Sequence, residues 1–159
     1  MRGCLLGRTD PPLSERGRVA ALSLATLSVR SVFTSPLRRA RETAEAIRAP
    51  LEILPELAEI DFGEWDGLTW REIERRSPEL ARRKVEDWFG VVIPGGEAWP
   101  DFRVRVERAL DRALAAPAPV AIVAHVTVNA VLAARLMDAD PRSFRQEYGE
   151  ILTCEYSLI

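Results

Sequence analysis

Two junctions in this sequence leave the chain little freedom in how it folds. Residues 29–34 form a short β-branched run with one aromatic, the composition of a strand, and pass with no loop into Ser35-Pro36 and a helical stretch. Ser35 suits a helix N-cap and Pro36 the first helical turn. Leu37, Ala40, Ala44 and Ile47 then recur at helical spacing and mark a buried face, and Pro50 ends the helix. The second junction is residues 120–124, a continuous apolar run of the kind found in strands buried on both faces. It ends on His125 and leads into a helix through Leu132 and Leu136. Strands that alternate with helices in this way predict an α/β fold, in which ligands sit beyond the C-terminal ends of strands. Arg39 and His125 both fall there.

The rest of the chain fills in around these junctions. Residues 1–12 read as a loop, and Ser14 caps a helix running to about Leu27 with Val19, Ala20, Leu22 and Leu27 as its apolar side. Residues 51–54 make a second short strand, and residues 56–67 are irregular and polar-aromatic. Short helices start at Thr69 and Pro78, the second reaching Trp88. A loop with Pro94-Gly95-Gly96-Glu97 precedes a helix over 100–116 that turns Phe102, Val106, Ala109, Leu110 and Ala113 inward. The tail alternates Leu152, Cys154, Tyr156 and Leu158, as a strand does. That makes four strands, where a sheet in such a domain has five or six, and no strand precedes the first helix. The chain reads as though it starts one element late.

A length of 159 residues suits one domain with a sizeable core. The net charge of −2 argues against a general nucleic-acid or anionic-membrane binder. No apolar run approaches ~18 residues, and no signal-peptide pattern opens the chain, so a cytoplasmic protein without a membrane span is expected. Cys4 and Cys154 have no CxxC partner and read as reduced thiols. With one histidine and no cysteine cluster, zinc has too few ligands.

The arginines after Ser35 carry the first chemical hint. Arg38, Arg39 and Arg41 stand near a helix N-terminus, where the macrodipole disfavours cations. Glu42 and Glu45 lie four residues beyond Arg38 and Arg41, the spacing of solvated ion pairs. Arg39 has Thr43 there and lies beside the apolar stripe. A guanidinium beside helix N-terminal N–H donors makes an anion site, most naturally for phosphate, although an ordinary surface arginine fits too. His125 can donate to phosphoryl oxygens or stabilise developing charge, or can be a satisfied structural histidine. Glu59, on a loop with Ile60 and Phe62, can hold a proton for a leaving oxygen if buried, or be a solvated carboxylate. Trp70, Trp88 and Trp99 fit core and ligand contact equally.

Five blocks recur in order: Asp10-Pro11-Pro12-Leu13-Ser14-Glu15-Arg16-Gly17, the stretch from Ser35 to Ala44, the stretch from Leu57 to Gly67, Pro94-Gly95-Gly96-Glu97, and Val123-Ala124-His125. Together they resemble the histidine phosphatase superfamily, also called phosphoglycerate mutase-like, over essentially the whole chain. The resemblance implies a three-layer α/β/α fold, a mostly parallel sheet with helices on both faces. It also implies metal-independent hydrolysis of a small phosphorylated metabolite through a phosphohistidine, with no cofactor. On it, Arg39 matches the phosphate-binding arginine, Glu59 the proton donor, and His125 the second active-site histidine, which also binds phosphate. The short central loop looks like the phosphatase branch, and Cys4-Leu5-Leu6-Gly7-Arg8-Thr9-Asp10 is similar to a segment of α-ribazole phosphatases. Arg8 would border the pocket without a catalytic role.

The departures matter as much. The family's nucleophile is the histidine of an Arg-His-Gly motif on the first strand, and this sequence has neither that motif nor a second histidine. Val126-Thr127 stands where the family often has Gly-Gly. Cys4 lies in a loop, Ser35 is better spent as an N-cap, and neither a Gly-x-Ser-x-Gly elbow nor a P-loop is present. The expectation is a single domain over 1–159, incomplete at its N-terminus and inactive as written. The alternative is a non-catalytic phosphate-binding or protein-interaction relative. An unpaired sheet edge would favour self-association, a homodimer included.

Overall fold

The computed structural model describes residues 3–147 and 149–156. Three parallel strands lie at its centre in the order β2-β1-β3, with β1 at Ser31–Thr34, β2 at Leu51–Ile53 and β3 at Val120–Val123. The helices are α1 (Glu15–Ala21), α2 (Arg38–Ala44), α3 (Trp70–Arg76), α4 (Pro78–Glu86), α5 (Trp99–Leu114) and α6 (Val126–Met137). Parallel strands need crossovers, which α2 supplies between β1 and β2 and α3 to α5 supply between β2 and β3. Thr34 pairs with Ile53 on one side and Val123 on the other, so β1 and β3 end level. The two strand-to-helix junctions therefore meet side by side.

Successive residues of a strand face opposite sides of the sheet, and β1 shows a helix layer on each. Phe33 packs into the larger core with Leu57, Ile73, Phe102, Leu110 and Val128. Val32 packs the other way, with Leu24, Ala44 and Ile47. The inward stripe of α5 is buried at each expected position, and its large members contribute about 1.5–3 kcal/mol apiece. Thr69 and Glu72 form a reciprocal capping box that starts α3 where the sequence places it. Among the described residues, no helix is long and apolar enough to cross a membrane.

Several elements differ from expectation. The first helix becomes a 3-10 turn over Leu22–Thr26, where Ser23 and Thr26 donate to carbonyls three residues back. That change of period buries Ala21 and Leu24 and leaves Val19 and Leu22 exposed. The opening helix starts at Arg38 with Leu37 as N-cap, not Ser35, and ends at Ala44, ahead of Pro50. Its stripe of Leu37, Ala40, Ala44 and Ile47 is nonetheless buried. Arg38 pairs with Glu42 at 3.2 Å as the spacing predicts. Arg41 makes no ion pair with Glu45 among the described residues: Glu45 is exposed, while the Arg41 Nε is buried without a hydrogen-bond partner. The residues of β3 are half-buried, because β3 pairs with β1 alone and its other edge is open among the described residues. Among the described residues three strands form, where four were expected. Residues 151–156, including Leu152, Cys154 and Tyr156, are irregular and exposed without sheet pairing, and Leu158 lies outside the described residues. Alternation alone does not make a strand when no edge comes alongside to satisfy its backbone.

Candidate active site

The level ends of β1 and β3 put Ser35 and His125 in contact. The His125 Nε2 and the Ser35 Oγ are 2.7 Å apart, and both residues are buried. Ser35 Oγ accepts the Leu37 N–H at 3.2 Å, and we assign its own proton to the contact with His125 Nε2, which puts the ring proton on Nδ1. Burial lowers the His125 pKa to about 3, helped by the positive charges of Arg39 and Arg105, so the imidazole is neutral at ordinary pH.

Glu59 reaches the same place from the loop after β2. Its side chain is 4% exposed. One carboxyl oxygen accepts the Ile60 N–H at 2.8 Å and the other accepts the Thr127 N–H at 3.4 Å, in the first turn of α6. Desolvation by burial raises its pKa, and hydrogen bonds from Ile60 and Thr127 and the charge of Arg39 only partly offset this. A carboxyl that holds its proton is a candidate acid.

The Glu59 loop is held by Arg105 on α5. Its guanidinium donates to the carbonyls of Glu56, Ala58 and Glu59, and grips the Glu97 carboxylate with two bonds of 2.6 and 2.7 Å. Glu97 belongs to the Pro-Gly-Gly-Glu loop, which stacks directly on the Glu59 loop: Glu64 donates to the Pro94 carbonyl, and Glu97 to that of Asp61. The contact is close enough to demand glycine. A Cβ on Gly63, whose φ is +51°, would lie 2.2 Å from the Pro94 oxygen, and one on Gly96 would lie 2.8 Å from the Asp61 oxygen.

Arg39 is 17% exposed along its side chain and turns toward the N-terminal loop. Its Nη1 donates to the Thr9 carbonyl at 3.0 Å, and its Nη2 to those of Leu6 at 3.0 Å and Gly7 at 3.3 Å. Asp10 lies 3.9 Å from Nη1 and accepts the Arg38 N–H at 2.7 Å, so Asp10 serves the start of α2. Asp66 fixes the loop from the other side by accepting the N–H groups of Gly7 and Thr9. Arg8 lies 3.4 Å from Asp61, at the edge of the Glu59 loop.

The structure thus brings Glu59 and His125 to one strand end, with the charge of Arg39 acting on both. Sequence reasoning gave Ser35 only a capping task and passed over Arg105. A signal for Arg105 was present: it stands three residues after Phe102 and one before Val106, on the stripe that α5 buries. A cation there needs a partner, and the Pro-Gly-Gly-Glu block held it.

The family model described as histidine phosphatase superfamily (branch 1) matches residues 1–158. A bifunctional protein of Mycobacterium tuberculosis is 38% identical over 144 residues, which make up 84% of this chain and 39% of that protein. An adenosylcobalamin/alpha-ribazole phosphatase of Salmonella typhimurium is 34% identical over 160 residues, covering 92% of this chain and 79% of its own length. The crystal structure of the alpha-ribazole phosphatase from Shigella flexneri superposes with a TM-score of 0.82 at 31% identity, over 92% of this chain and 79% of that one. The chain therefore spans well under half of the mycobacterial relative and about four fifths of the other two.

Proposed function

This chain belongs to the histidine phosphatase superfamily, and from that premise we propose that it carries the phosphate-binding and proton-donating part of a metal-independent phosphomonoester hydrolase. The observation that carries the reading is the buried carboxyl of Glu59, whose pKa burial raises and which accepts the Thr127 N–H two residues past a neutral His125.

In this reading the phosphoryl group of a small phosphorylated metabolite binds Arg39 and His125. Its oxygens replace the neutral carbonyls that Arg39 now holds, an exchange favoured because the guanidinium then faces a full negative charge in bidentate geometry. The His125 Nδ1–H donates to a phosphoryl oxygen, and the incoming negative charge offsets the cationic field of Arg39 and Arg105. A histidine nitrogen attacks phosphorus, the bond to the leaving oxygen breaks, and Glu59 gives that oxygen its proton. Water then attacks the phosphohistidine, and the Glu59 carboxylate takes the proton back. His125 is the sole histidine in the sequence and Ser35 holds its ring, so the attacking histidine is a second one. The 159-residue chain then binds phosphate without turnover, because the attacking histidine is not among its residues.

Reading the coding DNA upstream of Met1 tests this. An in-frame strand ending in Arg-His-Gly is expected, and the extended chain should hydrolyse phosphomonoesters in EDTA through an acid-labile phosphoenzyme. An in-frame stop immediately before Met1 would overturn the enzyme reading. It would leave the second one, a phosphate-binding protein without catalysis, which the lone histidine favours.

A further inference from the structure

The proton on Glu59 has to reach a leaving oxygen, and the body of the leaving group has to lie somewhere beside it. The structure offers one large space there. A groove of about 680 Å3 runs between the end of α4, the start of α6 and the segment after α6, and Thr127, whose N–H bonds the Glu59 carboxyl, forms part of its wall. That volume lies in the range of small-molecule sites. Three aromatic side chains line it, Trp88 and Phe89 from one side and Phe144 from the other. Trp88 is 37% exposed, unusual for an indole that core packing alone would account for.

The charges in the groove are unevenly matched. Of its two acids, Glu86 is paired with Arg82 at 2.6 Å and Asp87 accepts the Gly90 N–H. Its two cations, Arg142 and Arg145, are exposed, and neither has a carboxylate partner within 4.0 Å among the described residues. Arg145 instead donates to the Arg142 and Phe144 carbonyls, which fixes its own guanidinium at the rim. Flat apolar walls with an unmatched positive rim fit a planar ring that bears a negative charge.

We propose that this groove receives the leaving group of the phosphomonoester, and that this group is aromatic with an anionic substituent. The ring stacks against Trp88, Phe89 and Phe144, and Arg142 and Arg145 meet the charge. The inference rests on the reading of Arg39, His125 and Glu59 as the phosphoryl site.

Calorimetric titration of the 159-residue chain with four probes tests it: inorganic phosphate, glycerol 2-phosphate, phenyl phosphate and 4-carboxyphenyl phosphate. Phenyl phosphate should bind at least about fivefold more tightly than glycerol 2-phosphate, and 4-carboxyphenyl phosphate about fivefold more tightly again. Trp88→Ala should abolish the first difference. Arg142→Ala combined with Arg145→Ala, both at exposed positions, should abolish the second. Neither change should alter the affinity for inorganic phosphate. Equal affinities for the three esters, with inorganic phosphate still bound, would overturn this inference and leave the phosphoryl site standing. Failure of inorganic phosphate to bind would overturn both.

Discussion

Replacing Arg105 with alanine should destabilise the fold far more than the loss of any surface charge. The guanidinium makes two bonds to Glu97 and three to the carbonyls of Glu56, Ala58 and Glu59, with both side chains about one-sixth exposed. Its removal strands a half-desolvated carboxylate and three carbonyls in a region water reaches poorly. Breaking a buried pair from one side costs about 3–5 kcal/mol, against a total stability of roughly 5–15 kcal/mol for a domain. Arg105→Lys keeps the charge and loses the fork, so it should fall between parent and alanine. Urea unfolding followed by tryptophan fluorescence reads the effect directly. In a double-mutant cycle, adding Glu97→Gln to Arg105→Ala should cost much less than Glu97→Gln does in the parent. A loss below about 1 kcal/mol, the scale of an exposed pair such as Arg82 with Glu79, would refute the idea that Arg105 holds the Glu59 loop.

Three further outcomes follow from the same geometry. His125 is the only histidine, so its ring proton resonance is unambiguous, and it should not titrate until pH falls to about 3; a midpoint near 6.5 would show that the ring is not buried. Because the unfolded chain takes up this proton near 6.5 and the fold only near 3, stability should fall across that window on acidification, by about 5 kcal/mol at most, and His125→Asn should flatten the slope. Glu59 is the opposite case. Its raised pKa gives stability that is present below pH 4.5 and lost as pH rises through the folded value, so Glu59→Gln should gain thermal stability on the parent between pH 5 and 8, and parallel pH profiles would count against a buried carboxyl. Gly63→Ala should cost about 1–3 kcal/mol from backbone strain alone, plus the displacement of the Pro94 loop, and a neutral result in thermal unfolding would contradict the close packing of the two loops.

What was legible in the sequence is what local physics dictates. The stripes of the opening helix and of α5 are spaced at 3.6 residues, and each named position is buried because period alone selects the face. Ser14 was readable as a cap because a cap bonds within its own turn. Ser35 misled for the same reason: a serine before a helix scores as a cap, but its hydroxyl also bonds a histidine ninety residues away. The tail alternates like a strand, yet pairing needs a neighbour that no local pattern supplies. Glu59 was picked out by its apolar neighbours and by a family motif. The rise in its pKa comes from burial beneath α6, which only the tertiary fold creates.

The account turns on a phosphoryl site built from Arg39 and His125. Titration of inorganic phosphate into the parent chain and into Arg39→Ala at pH 7, followed by calorimetry, tests it most directly. The account predicts saturable binding to the parent, with His125 neutral throughout, and loss of binding in the variant. A parent chain that folds but does not bind phosphate, or an Arg39→Ala variant that binds it equally well, would contradict it.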